Sequence, residues 1–393
     1  MKKILPILFP LLAALTLPAA AHEGHDQGPA ARPARIELAT AAAFGPDGQL
    51  HIVAKDGAHL VWRHSPDLGA TWSAPQHVNM QAESIAADGD SQPRIAFNRA
   101  GELLVTWTKP LPKPYTGEIR LARLPRDGSA FDAPITVHRD QAEITHRFQN
   151  LIVAPDGRVT VVWIDKRDQE AARLAQKPWR GAGVYSAISD DGGRSFQPER
   201  KLAEHSCECC RIALALDPDG TPVALWRHVF APNERDHALA RLKADGTPEA
   251  VQRATFDRWR VDACPHQGPA LAIAADGVRH AVWFNQRDGE GRVFYGRPTS
   301  AGVNGQRPVG GPAAAHADIA VLGRRVVLLW KEFDGERTRL RAQRSDDDGR
   351  HFDPPQELDA TAGASDQPRL LTRDGRAYAF WRTADAFRVV PLP

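Results

Sequence analysis

Four cysteines carry the most specific chemistry in this sequence. Three form the C-x-C-C segment Cys207, Cys209 and Cys210, and the fourth opens Cys264-Pro265-His266, 54 positions after Cys210. Thiolates joined by an imidazole are ligands for soft ions. Cys207, Cys209, Cys210, Cys264 and His266 are therefore a candidate copper or zinc site, with His146 or His316 as further donors. The spacing is not a standard zinc motif. The same sulfurs could be oxidised instead: four cysteines allow three pairings, and a bridge from the cluster to Cys264 plus a short one to Cys207 would staple neighbouring repeats. Cys209 and Cys210, being adjacent, join each other only under strain. His22-Glu23-Gly24-His25-Asp26 offers a second metal site. Cleavage after Ala21 would free an α-amine that, with His22 and His25, can chelate Cu(II). The stretch from Gln27 to Ala34, rich in Ala, Pro and Gly, equally suits a solvated tail.

Arginines and acids form the second constellation. Arg94, Arg147, Arg211 and Arg369, with Asp90 and Asp366, stand at or just before the starts of apolar strand patterns. A guanidinium grips a carboxylate through two parallel hydrogen bonds, so these residues are candidate ligands for an anionic small molecule or glycan. They could equally pair with one another along a polar channel.

The elements that must position these residues repeat along the chain. A short apolar strand, a Gly turn and a second strand that usually ends in Trp recur seven times. The second strands run from Leu50 to Ala54, Leu103 to Trp107, Val159 to Trp163, Pro222 to Trp226, Arg279 to Trp283, Val326 to Trp330 and Arg376 to Trp381. Turns such as Asp47-Gly48, Asp156-Gly157, Asp219-Gly220, Asp276-Gly277 and Asp374-Gly375 precede five of them and are hairpin signals. Trp-to-Trp steps of 56, 63, 57, 47 and 51 residues fit one four-stranded blade per unit. The fold expected is an all-β propeller, seven blades favoured over six, with the strand from Ile36 to Ala39 completing the last blade. In such a ring the first strands begin at one mouth of the central channel. That places Asp90, Gln92, Arg94, His146, Arg147, Gln149, Arg211, Asp262, His266, His316, Asp318, Asp366, Gln367 and Arg369 there, together with every cysteine.

Three segments share the pattern S-x-D-x-G-x-(polar)-aromatic: Ser65 to Trp72, Ser189 to Phe196 and Ser345 to Phe352. A short Asp side chain can bond N–H groups of its own turn, Gly permits positive φ, and the aromatic plugs between blades. The pattern resembles the Asp-box, or BNR repeat, of exported sialidase-like propellers, and the resemblance covers nearly all of the region after the leader. It implies that the boxes link third and fourth strands on the face away from the active site, so that Asp67, Asp191 and Asp347 are structural. It also raises an exo-acting glycoside hydrolase as an alternative function. Such an enzyme needs an arginine triad, a Tyr nucleophile with a Glu partner, and an Asp acid/base. Arg94 in Gln92-Pro93-Arg94-Ile95 is similar to the family's R-I-P arginine, although Ala96 replaces the proline, and Arg211 and Arg369 could complete a triad. Only Tyr115, Tyr185, Tyr295 and Tyr378 are available as nucleophiles, and none has an evident Glu partner. A stapled, protein-binding propeller is a further alternative.

Composition agrees with these readings. The chain has 393 residues with 50 basic and 48 acidic side chains, and 42% hydrophobic residues support a globular core. Lys2 and Lys3 precede an apolar run that ends at Ala19-Ala20-Ala21, the pattern of an export signal over residues 1–21. A flexible tail over 22–34 and the propeller over 35–393 would follow. The 372 residues left after cleavage hold 48 bases and 48 acids. This balance argues against nucleic acid and anionic membrane surfaces as partners. The expectation is a periplasmic or secreted monomer without a membrane span. Loops from Asp165 to Gly183 and from Arg227 to Asp236 could cover the mouth or decorate its rim.

Overall fold

The computed structural model describes residues 37–287 and 289–392. The leader, the tail with His22 and His25, and Ile36 lie outside the described residues.

Seven antiparallel sheets follow one another along the chain, six with four strands and the last with three. Their first strands are Thr40–Phe44, Arg94–Phe97, His146–Val153, Ala213–Leu216, Ala270–Ile273, Ala314–Leu322 and Arg369–Arg373. Each of these touches the first strand of the next sheet, and the seventh touches the first, so the ring closes around them. Seven blades and nearly all-β architecture are thereby established.

Hydrophobic patterning explains the closure. Seven apolar clusters each join two successive blades, including one in which Leu50 and Ile52 of blade 1 meet Leu371, Tyr378 and Phe380 of blade 7. Trp107, Trp163, Trp226, Trp283, Trp330 and Trp381, near the ends of the second strands, are all fully buried. Each such side chain removes about 200 Å² from water, roughly 5 kcal/mol of transfer free energy as an upper bound. Five of these indoles donate hydrogen bonds, for example Trp163 to Asp165 at 2.9 Å and Trp330 to Glu332 at 2.9 Å. Trp226 has no such partner among the described residues and packs in the cluster that contains Cys207, Cys209 and Cys210.

The turns follow their side-chain chemistry. In the hairpins at Asp47, Asp156, Asp219 and Asp276 the carboxylate accepts the N–H two residues on, at 2.9–3.0 Å, and the following Gly takes positive φ. Of the five Asp-Gly hairpin turns, only Asp374-Gly375 has both residues in the left-handed region, with φ of 51° and 70°. The three S-x-D segments lie between third and fourth strands and share one bonding scheme. Ser189 Oγ donates to Asp191 Oδ1 at 2.7 Å and accepts from Gly193 N at 2.8 Å, and Asp191 accepts from Ser195 N at 2.9 Å. Ser65, Asp67 and Thr71 repeat the scheme, as do Ser345, Asp347 and His351. The terminal aromatics plug between blades: Trp72 meets Phe387, and Phe352 meets Tyr295 edge-on at 5.0 Å.

Two expectations change. Among the described residues the last blade has three strands, and Glu37–Ala39 form no strand; the Ala39 carbonyl instead accepts from Lys55 N within blade 1. The apolar packing of blade 1 on blade 7 closes the ring without a shared sheet. The segment expected as a loop from Asp165 to Gly183 contains the only helix among the described residues, Arg167–Leu174, and no helix there is long and apolar enough to cross a membrane.

Candidate functional site

Connections from an outer strand to the next inner strand emerge on the face opposite the S-x-D turns. Two of them carry the cysteines. Cys207–Cys210 links Arg200–Ser206 of blade 3 to blade 4, and Cys264–His266 lies between blades 4 and 5. Glu208 is bonded by Lys166 and by Gln169 of the helix, while Cys207, Cys209 and Cys210 are buried.

The three sulfurs form a nearly equilateral triangle: Cys207 to Cys209 is 3.7 Å, Cys209 to Cys210 3.9 Å and Cys210 to Cys207 3.9 Å. These separations are far above the roughly 2.05 Å of a disulfide, and all four cysteines are free thiols. The expected staple to Cys264 is therefore not formed. Cys209 instead belongs to a second group with Cys264 and His266, whose ligand atoms all lie within 4.8 Å of one another.

Two arginines, buried Arg227 and half-buried Arg235, frame the cluster. Arg235 Nη1 donates to Cys207 Sγ at 3.6 Å. Arg227, 1% exposed, donates to Asn285 Oδ1 at 2.8 Å and to the Gln267 carbonyl at 3.1 Å, which ties blade 4 to the Cys264 loop. Hydrogen bonds from Cys209 and Cys210, followed by the charges of Arg227 and Arg235, hold the Cys207 thiol well below its ordinary pKa despite burial. The bonds to Cys207 raise Cys209 and Cys210. The trio thus gives up a first proton readily and the others with difficulty.

The Cys264 loop is pinned at both ends. Buried Asp236 accepts from Asp257 N, Arg258 N and Asn285 Nδ2 at 3.0–3.1 Å. At the far end Gly268 N donates to Asp90 Oδ2 at 2.5 Å, and a Cβ on Gly268 would collide with the Arg211 backbone. His266 takes φ 51° and His316 φ 52°, uncommon for residues with a side chain. Among the described residues the buried Nδ1 of His266 has no hydrogen-bond partner.

Below this rim the channel is a polar network centred on Asp90. Its carboxylate accepts from Arg211 N at 3.0 Å and Gln367 Nε2 at 2.6 Å, besides Gly268 N. Arg211 donates to the Pro269 carbonyl, Gln367 Oε1 and the Ala317 carbonyl at 3.1, 2.9 and 2.6 Å, so its guanidinium joins blades 4, 5, 6 and 7. Burial pushes the Asp90 carboxyl up, but His316, 3.7 Å away, and Arg211 outweigh it and hold the group below the usual carboxylate range.

Arg94 and Arg369 are differently placed. Among the described residues Arg94 donates only to its neighbour's carbonyl, Pro93 O at 3.2 Å, and Arg369 makes one long bond, 3.4 Å to Gln367 Oε1. Burial lowers the pKa of both, and the nearby charge of Arg211 acts in the same direction on each. Asp366 is 6% exposed, and burial raises its carboxyl to about 6.

Other sequence candidates are occupied elsewhere. Arg147 pairs with Asp88 and lies 5.0 Å over the Phe148 ring, outside the arginine cluster. His146 stacks on His138 at 4.0 Å and bonds the Gly117 carbonyl, away from the cysteines. Asp262 accepts from Asn233 at 2.6 Å. No tyrosine hydroxyl among the described residues bonds a glutamate: Tyr185 pairs with Asp168 at 2.9 Å, Tyr295 with His280 at 2.8 Å, and Tyr115 is exposed. Sequence reasoning gave no role to Glu208 or to Arg227 as a clamp. For Arg227 the available signal was a charged residue directly after the strand-ending Trp226.

Among solved structures, an ulvan lyase of polysaccharide lyase family 25 is similar to this chain, with a TM-score of 0.57 and 10% identity over 88% of this chain and 90% of that one. The same lyase bound to -[GlcA(1-4)Rha3S]- gives the same values. The NanB sialidase of Streptococcus pneumoniae matches with a TM-score of 0.46 and 10% identity over 77% of this chain and 67% of that one. At this identity the likeness to the lyase concerns the propeller fold alone. No family model matches the chain, and no curated protein matches it in sequence.

Proposed function

We propose that this protein is an exported propeller that binds a soft metal ion, copper(I) before zinc, through Cys207, Cys209 and Cys210 at its channel mouth. The carrying observation is the sulfur triangle of 3.7, 3.9 and 3.9 Å. An ion with metal–sulfur bonds of about 2.3 Å needs sulfurs about 3.8 Å apart in a tetrahedral arrangement and about 4.0 Å apart in a planar one. The donors thus stand at ligand spacing in a buried pocket. Charge supports a monovalent ion: three thiolates, Arg227, Arg235 and one Cu(I) sum to zero, and thiolates favour Cu(I) among available ions. Anaerobic titration with Cu(I) against a chromophoric chelator tests the reading. Wild-type protein should retain copper and the Cys207→Ser/Cys210→Ser variant should lose the ion held by the sulfur triangle; wild-type protein with four titratable thiols and no retained copper overturns it.

A second reading is favoured by Arg94 and Arg369, two guanidiniums with few acceptors beside Arg211. The S-x-D turns resemble Asp-boxes, and one neighbouring lyase structure holds a glucuronic acid saccharide. On this reading the channel binds the carboxylate of an acidic glycan, with Asp366 as a proton donor near pH 6. The tyrosine pairings leave no sialidase-type nucleophile in place, so cleavage would follow another route. Binding of glucuronate and sialate oligosaccharides, abolished by Arg369→Ala, checks it; no binding by wild-type protein refutes it.

A further inference from the structure

The two ligand groups share one residue. Cys207, Cys209 and Cys210 form the buried group, and Cys209, Cys264 and His266 form the other, with Cys264 exposed. We infer that the mouth holds two soft metal ions bridged by the Cys209 thiolate, an inner ion on three sulfurs and an outer ion on Cys209, Cys264 and His266. The inference rests on the metal reading above.

A thiolate sulfur has lone pairs for two ions, and only Cys209 lies within reach of both sets. The outer donors are held in position from several sides. Gly89, at φ 56°, lies so close to His266 that a Cβ there would come within 2.8 Å of Nδ1. Arg227 holds the Gln267 carbonyl, and Gly268 is fixed on Asp90. The buried Nδ1 of His266 has no hydrogen-bond partner among the described residues, which leaves that nitrogen uncommitted for a ligand. Charge again balances for monovalent ions: the outer centre adds one thiolate and one Cu(I), leaving Arg227 and Arg235 to neutralise the remainder. Because Cys264 is exposed, the outer position is the one that exchanges with solvent, and the inner ion sits beneath it.

Copper stoichiometry decides the matter, measured by anaerobic Cu(I) titration of the full protein under reducing conditions. Two ions per chain are expected, falling to one in Cys264→Ser and in His266→Ala, with circular dichroism confirming the fold. Cys210→Ser should also hold one ion, now the exchangeable one. A copper–copper scattering contribution in the X-ray absorption spectrum should be present in wild-type protein and absent from all three variants. One ion per chain, unchanged by Cys264→Ser, overturns the bridged pair and leaves the three-sulfur site standing. No bound copper overturns both.

Discussion

Replacing Asp90 with asparagine keeps the shape of the side chain and removes its charge from the centre of the ring. The carboxylate accepts three hydrogen bonds, from Arg211 N, Gly268 N and Gln367 Nε2, and lies 3.7 Å from the Arg211 guanidinium. An asparagine NH₂ must face either the two backbone donors or Gln367, whose own oxygen is already committed to Arg211. At least one donor therefore loses its acceptor, at about 1.5–3 kcal/mol for a bond to a charged group. Breaking a buried ion pair by removing one partner costs about 3–5 kcal/mol in total. Urea unfolding at pH 7 should show Asp90→Asn less stable by about 4 kcal/mol. The sign of the pH dependence is also set. The folded carboxyl has a pKa below its unfolded value, so its stabilisation is complete above pH 4 and is lost as pH falls. The gap between wild type and variant should narrow below pH 4. Simultaneous Arg211→Met should recover part of the loss, because the two residues act as a unit. A difference under 1 kcal/mol at pH 7, or one independent of pH, refutes the assignment of Asp90 as the residue that locks the channel.

Asp366 acts with the opposite sign. Its folded carboxyl keeps a proton to about pH 6 while the unfolded one releases it near 4, so stability falls as pH rises through that window. The stability of Asp366→Asn relative to wild type should grow by about 2 kcal/mol between pH 4 and 7, and a flat difference in urea melts would contradict this. Ser189→Ala should cost about 1–3 kcal/mol by leaving the buried Gly193 N–H without its acceptor, without changing copper binding; calorimetry and metal titration check the two halves. Because the shared hydrogen bonds lower Cys207 and raise Cys209 and Cys210, loading the inner ion near pH 7 should release protons and tighten as pH rises. An unbuffered titration without proton release would refute that.

The blade count and the gathering of the cysteines were legible because both follow from periodicity. An apolar strand pair per unit fixes the ring, and connections at equivalent places in successive units must reach the same face, so Cys209 and Cys264 meet despite their separation. The S-x-D turns were legible for a local reason, since their bonds close within the segment. What stayed hidden depends on partners without a side-chain signature. Arg211 looked free for a ligand, but its acceptors are largely carbonyls of Pro269 and Ala317 from other blades. Arg147 had no visible reason to choose Asp88, and His146 none to stack on His138. Closure was misassigned because the interface of blades 7 and 1 is apolar packing, which Leu50 and Ile52 supply without a strand from the preceding segment.

The central claim is that three buried thiolates hold a soft ion. Copper K-edge absorption on protein loaded with one equivalent of Cu(I) tests it most directly. The account predicts a first shell of three sulfurs at a thiolate bond length of about 2.3 Å, replaced by a mixed sulfur and nitrogen shell when Cys207 and Cys210 are both serine. A first shell of nitrogen and oxygen at about 2.0 Å, unaffected by those substitutions, would contradict it.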